Sequence, residues 1–492
     1  MLFGISGLVV ALSGWVLAIL ARLAWSLTIS VPRNAFGICT GYKKGDGEQL
    51  TNWLSERIDK LAGVTPKDGP LLFGQLWSGT TRPALDPPVS KRSVDLRMVA
   101  TCLNLAKPYE LPFSSGELYY DEKEWERLFP ADVIASLRKQ RPPVGDLDAR
   151  RLASRKARAA AAKAHSPSLR RLPEAPFLPV VVATRMSLSF PLLISAVPLW
   201  AIDYAPYVPP RRRWWQHPAS PVDPTKPRFQ KLWFTDGGLS SNFPIHMFDS
   251  PLPQRPTLAI NLGRLNPDLG EPSLNPHENV RFARTNSDQI LTPYSPIPHF
   301  GLGAVAGFAG AALGTARDWR DNSHLTVPGY RDRIVQVLQS ASEGGLNLFM
   351  TKEKITLLAD RGQTAAADLV DQFTEKRYPT PAPDGTRRST ATGWENHRWL
   401  RYRTLVNGLA DFARGFDDGL VIRNDAGEVV EGRPSSTSGS YPLTAAERAL
   451  ASRIEQQILE AAEAVRRVRE STVAHMQSSP HPATVIRRVP EV

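Results

Sequence analysis

Thr235-Asp236-Gly237-Gly238 stands directly behind the apolar stretch Leu232-Trp233-Phe234. A carboxylate presented on a tight turn at a strand end can accept the proton of a serine hydroxyl and so activate it as a nucleophile. The serine served by such a base sits on a strand-to-helix elbow, Gly-x-Ser-x-Gly. No stretch of the 492 residues has that pattern. Gly4-Ile5-Ser6-Gly7-Leu8 lacks the final glycine, and the three residues before Gly4 leave no room for the strand that should present Ser6. Gly238-Leu239-Ser240-Ser241-Asn242 follows the aspartate turn and cannot also form its opposing arm, so it reads as a cap for the chain that follows. His246 is the histidine nearest to Asp236 in sequence, yet without an elbow it reads as a packing or surface residue. Arg185, one turn before Ser189, either lies near the Asp236 site or pairs with a carboxylate, and is not assigned to the site. Taken alone, Asp-Gly also reads as a hairpin turn, where glycine accepts positive φ without steric cost.

The elements that would position these residues alternate between two periods. Residues 94–102 alternate apolar and polar side chains as a strand with one buried face does. The valine-rich run 178–183 reads as a fully buried central strand, and 232–235 and 257–262 as two further short strands. Leu50, Trp53, Leu54, Ile58 and Leu61 recur at helical spacing, with Gly63 as a stop. Further helical patterns cover 301–317 and 351–373. This alternation points to an α/β sandwich of helices around a largely parallel central sheet.

Two stretches look like insertions. The basic one, 138–172, carries Arg151, Arg155, Lys156, Arg158 and Lys163, and reads as a solvated helix or as a contact for anionic membrane. The other, 208–228, is rich in proline and contains Arg211-Arg212-Arg213-Trp214-Trp215, which suits either a lipid interface or a packed surface loop. Residues 424–442 read as a linker. The helix expected over 443–476 opens on Thr444-Ala445-Ala446-Glu447, a capping box, and 477–492 read as a disordered tail.

Residues 1–21 carry no charge, and Arg22 is the first ionisable side chain. About 20 apolar residues can cross a bilayer core, so 1–27 are expected to form an apolar, membrane-embedded helix, with a wholly buried helix as the alternative. Basic residues lie only on its C-terminal side, which would keep the main body cytoplasmic. The net charge of +12 favours anionic surfaces. With no zinc spacing and no compact nucleic-acid module, lipid headgroups are expected rather than nucleic acid. Cys39 and Cys102 are the only cysteines, too few and too far apart for a disulfide framework.

Several stretches in order resemble the patatin-like phospholipase family, in particular its long bacterial members. They are Phe36-Gly37-Ile38-Cys39-Thr40-Gly41, Thr101-Cys102-Leu103-Asn104, Pro108-Tyr109-Glu110-Leu111-Pro112-Phe113, Ala183-Thr184-Arg185-Met186-Ser187-Leu188-Ser189-Phe190-Pro191 and Phe234-Thr235-Asp236-Gly237-Gly238-Leu239. Pro328-Gly329-Tyr330-Arg331-Asp332-Arg333 and Glu343-Gly344-Gly345-Leu346-Asn347-Leu348 continue the series. The resemblance implies a patatin-like domain over 30–415 that lacks its N-terminal part. It also implies a serine–aspartate dyad acting on acyl esters of lipids, with Asp236 as the base and Gly237 and Gly238 as the turn presenting it. It implies no cofactor, and nothing in the sequence argues for a metal. The expected partners are membrane phospholipids or other acyl lipids at a membrane surface, with the oligomeric state open. Because the elbow serine and the oxyanion glycines of the family are missing, a truncated or inactive hydrolase is expected. The alternative is a non-catalytic, membrane-associated lipid-binding or scaffold protein.

Overall fold

A computed structural model describes residues 18–43, 49–139, 149–203, 228–265, 272–283, 297–315, 329–381, 387–431 and 443–470, apart from short gaps within these ranges, together with Trp15. The chain divides after Asn242 into two compact units, each described by itself.

The first unit is built on a six-stranded sheet. Its strands are β2 (Met98–Cys102), β3 (Lys107–Leu111), β4 (Leu118–Asp121), β5 (Leu169–Arg171), β7 (Val197–Asp203) and β8 (Arg228–Asp236), in the order β3-β2-β8-β7-β4-β5. Every neighbouring pair in this sheet is antiparallel. β1 (Gly37–Cys39) and β6 (Leu192–Ile194) form a separate parallel pair. The molecule is therefore mixed α/β, but the largest sheet is not the parallel one expected from strand–helix alternation.

Helix α1 spans Leu50–Leu61 and α2 spans Ala131–Arg138; α3 (Ala149–His165) and α4 (Val180–Ser187) follow. The run 178–183, expected as a central strand, instead enters α4 immediately behind Pro179. Val180, Val181, Val182, Ala183 and Met186 are all buried. A run that is apolar on every side suits a buried helix as well as a buried strand, and its composition alone does not separate the two. α4 packs into the core with Ala100, Val197 and Phe234 of the sheet. Trp125, fully buried, donates from Nε1 to Pro198 O at 2.8 Å and ties the adjoining short helix to β7.

The strand expected over 94–102 begins only at Met98, because Asp95 is held by Arg92 at 2.7 Å and Arg97 at 3.0 Å in a charged turn. α1 occupies the expected span, and Gly63 follows it at φ +68°. The helix buries Thr51 and Ser55, while Trp53 and Leu61 face outward. α3 falls within the basic insertion, yet it is not merely solvated: Ala162 is buried against Tyr119 and Leu169.

The second unit has a three-stranded sheet, β10-β11-β9, made of β9 (Ala259–Arg264), β10 (Val280–Phe282) and β11 (Ile334–Gln339). β9 and β11 are parallel. Helix α5 (Lys352–Thr374) buries Arg361, Ala365, Leu369 and Phe373 at every fourth position, and the last three pack on Val335 and Val337 of β11. α6 (Gly393–Leu420) packs against α5 and against α7 (Ala445–Glu470). The capping box ahead of α7 is present: Thr444 N donates to the Glu447 carboxylate at 2.7 Å, and Glu447 N donates back to Thr444 Oγ1 at 3.3 Å.

Among the described residues, no helix is long and apolar enough to cross a membrane. The membrane helix expected over 1–27 is therefore not supported. Residues 18–25, Ser26–Ser30 and Val31–Arg33 are helical, the middle segment with π-type winding, whereas 1–14 and 16–17 lie outside the described residues. Ser6, the segment 204–227 that holds nearly all of the proline-rich insertion, and the tail from 471 also lie outside them.

Candidate active site

Asp236 is the last residue of β8, a strand flanked on both sides within the six-stranded sheet. Its main chain is pinned from two directions. Asp236 N donates to Ser189 O at 3.0 Å, and Thr101 Oγ1 donates to Asp236 O at 2.9 Å. Thr235 Oγ1 adds a second bond to Ser189 O at 2.5 Å. The half-buried side chain is oriented by Gly238, whose N–H donates to Asp236 Oδ1 at 2.8 Å. Gly237 and Gly238 open a single 3-10 turn, Gly237–Leu239, rather than a hairpin.

Neither glycine has positive φ, so room and not backbone freedom demands them. A Cβ on Gly237 would stand 2.2 Å from Val99 O, because the turn folds back onto β2. Ser240 closes the turn as a cap: its Oγ lies 2.8 Å from Thr101 Oγ1.

Beneath the strand end lies Arg185 of α4, fully buried. It donates to Ser189 Oγ, to Thr40 O at 2.7 Å and to Ser195 O at 3.0 Å. No carboxylate pairs with it among the described residues, and its Nε has no hydrogen-bond partner there. Burial pushes the guanidinium down to about 10, with the neighbouring Cys39 acting in the opposite direction. The arginine thus joins the loop behind β1, the β6–β7 connection and, through Ser189, the main chain of Asp236. Gly37 allows this convergence: a Cβ there would lie 2.2 Å from Ser195 N. Phe36 completes the wall by meeting Trp233 edge-on at 5.0 Å.

The structure therefore gathers around Asp236 residues that are far apart in sequence, namely Thr40, Thr101, Arg185 and Ser189. Arg185 is the functional candidate that sequence reasoning left out, and its signal was available. It is the only charged residue between Glu174 and Asp203, inside an otherwise apolar stretch. The hydroxyls around the turn already serve the backbone: Ser189 Oγ donates to Arg185 O, and Ser195 Oγ to Asn34 O. An oriented carboxylate of this kind can take a proton from a hydroxyl brought within about 2.6–3.2 Å. Among the described residues, no group of three or more His, Cys, Asp or Glu could hold a metal ion.

The later motifs belong to the second unit and build charge networks there. Asp249 accepts from Arg333 at 2.7 Å, from Arg401 at 2.8 Å and from the Tyr330 hydroxyl. Glu343 accepts both terminal nitrogens of Arg361 at 2.9 Å. Burial raises the Glu343 carboxyl, but the bonds from Arg361 and from Ser340 N–H outweigh it and hold the group below its ordinary range. His246 lies in this unit on the turn Ile245–Phe248.

The chain is similar to a protein of Rhizobium meliloti (strain 1021) named RpoH suppressor, at 33% identity over 415 residues. The match covers 77% of this chain and 57% of the relative, so the chain spans little more than half of that protein's length. No protein-family model matches. No solved structure matches either.

Proposed function

We propose that the chain contributes the general-base arm of a patatin-like lipid acyl hydrolase, with Asp236 accepting the proton of a serine during attack on an acyl ester. The observation that carries this reading is the held carboxylate. Asp236 ends a flanked strand, its main chain is fixed through Ser189 and Thr101, and its side chain is oriented by Gly238 N–H. A base needs such fixed geometry more than it needs an unusual pKa. Further support comes from the motifs of the resemblance, four of which meet at this turn. The relative's name, RpoH suppressor, names no reaction and weighs neither way.

The 492 residues contain no Gly-x-Ser-x-Gly elbow, so this reading places the nucleophile outside them. In a form of the protein that carries such an elbow, Asp236→Asn is expected to lower esterase kcat by about 10²–10⁴-fold. Undiminished activity removes Asp236 from the mechanism. The 492-residue chain by itself is expected to resist a fluorophosphonate probe, and labelling that disappears on Ser6→Ala would make Ser6 the nucleophile.

The missing elbow also favours a second reading, a non-catalytic protein held at a membrane surface. Trp15, Leu20, Leu23, Trp25 and Leu27 stand exposed along the N-terminal helical segment, which supports lipid contact. Under this reading, Asp236→Asn leaves every measurable property except turn stability unchanged.

A further inference from the structure

The basic insertion does more than decorate the surface. Between α3, the C-terminal end of α2 and β5 lies a cleft of about 500 Å³. Six cations line it: Arg138, Lys139, Arg155, Lys163, Arg170 and Arg171, against the single carboxylate of Glu174. Apolar side chains share the lining, among them Leu137, Ala162 and Phe177. A neighbouring cleft of about 590 Å³ shares Arg171 and Glu174 but sets three arginines against three carboxylates, so its lining lacks this excess of cations.

The arginines are partly satisfied, and that fixes their geometry. Arg155 uses one terminal nitrogen on Glu174 at 2.8 Å, and Arg171 reaches Glu117 and Glu174 at 3.1 Å each. Arg138 and Arg170 share Glu122, and Arg138 also meets Glu126 at 2.8 Å. A guanidinium has five N–H donors, so these bonds orient the groups while leaving donors over. Lys139 and Lys163 are exposed and pair with no carboxylate among the described residues, so the lining keeps a surplus of positive charge. Guanidinium forks beside free ammonium groups match the several acceptor oxygens of a phosphate better than the two of a carboxylate. The apolar members of the lining suit a hydrocarbon body beside that phosphate.

We propose that this cleft binds a phosphate monoester with an apolar body, either the monoester headgroup of an anionic phospholipid at a membrane surface or a free alkyl phosphate. The proposal stands on this cleft alone and does not depend on Asp236 being a base.

The test uses the full chain with three probes: octyl phosphate in solution below micelle formation, phosphatidylcholine vesicles, and the same vesicles carrying phosphatidic acid. Calorimetry follows the soluble ester and co-sedimentation follows the vesicles. The variant Lys139→Ala/Lys163→Ala removes the two unpaired cations, and Lys60→Ala/Lys91→Ala removes the same charge elsewhere in the first unit. Saturable binding that weakens about tenfold or more in the first variant, and much less in the second, supports the site. Binding to phosphatidic-acid vesicles alone assigns the headgroup as the source, and binding to octyl phosphate assigns a free ester. Equal loss in the two variants, equal binding to the phosphatidylcholine vesicles, or no saturable binding to either monoester probe overturns the proposal. Circular dichroism and a thermal melt check that both variants fold, which is expected because all four lysines are exposed.

Discussion

Replacing Arg185 with methionine probes the node that holds Asp236. Methionine keeps most of the volume but withdraws donors from Thr40 O, Ser195 O and Ser189 Oγ. Leaving a buried acceptor short of a partner costs about 1–3 kcal/mol each, so the three together cost several kcal/mol. Against this stands the relief of no longer burying a guanidinium without a carboxylate. Its displacement from 12.5 to about 10 puts that relief at about 3 kcal/mol. The balance is a loss of about 3 kcal/mol, concentrated where β8 ends. Because the chain has two units, a single melting temperature would blur the effect. Amide exchange resolves it, since Asp236 N–H bonds Ser189 O and Ser195 N–H bonds Cys39 O. A local loss of about 3 kcal/mol speeds exchange at both amides by about 100-fold, while Tyr119 and Trp200, paired in β4 and β7, keep their protection. Arg185→Lys, with one nitrogen in place of three, should fall between the two. Exchange at Asp236 that stays within about threefold of wild type in the methionine variant would refute the idea that Arg185 positions the carboxylate.

Two further outcomes test the packing. Gly237→Ala forces a Cβ to within 2.2 Å of Val99 O, so the turn must move. A cost of about 1–3 kcal/mol is expected, read as faster exchange at Gly238 and as lost activity in any form that hydrolyses esters. In the second unit, Glu343 titrates lower in the folded chain than in the unfolded one. Its contribution is therefore complete above the ordinary glutamate range and is lost as pH falls through the lowered folded value. Exchange in α5 should rise on acidification through that window and lose this dependence in Glu343→Gln. Arg361→Met alone should cost about 3–5 kcal/mol by leaving a buried carboxylate unpaired.

What the sequence made legible was local. The stripe of α5 and the Thr444–Glu447 box depend on neighbours within a turn, and both occur where spacing places them. The end of the strand before Asp236 was equally visible, because an apolar run followed by Asp-Gly-Gly leaves few alternatives. The run 178–183 was misread as a strand because a segment buried on all sides carries no periodicity, and only Pro179 marked the helix start. The antiparallel sheet was hidden for a different reason: strand direction is decided by partners such as Ala100 and Asp236, 136 positions apart. The clamp on the aspartate has the same character, since Arg185 and Thr40 meet across 145 positions. A lone charge inside an apolar stretch hinted that something buried must receive it, but not what.

The two thiols lie at opposite extremes of this architecture. Cys102, in β2 beside the aspartate strand, is fully buried, and burial pushes its thiol up, away from the reactive thiolate. Cys39, at the end of β1, is exposed, and its main-chain oxygen accepts from Ser195 in the same junction that Arg185 secures. A maleimide dye should therefore attach to the folded protein at one place only, without any engineered cysteine. That place adjoins the junction behind Asp236, so the native chain carries its own attachment point for an optical reporter of that junction's opening and closing.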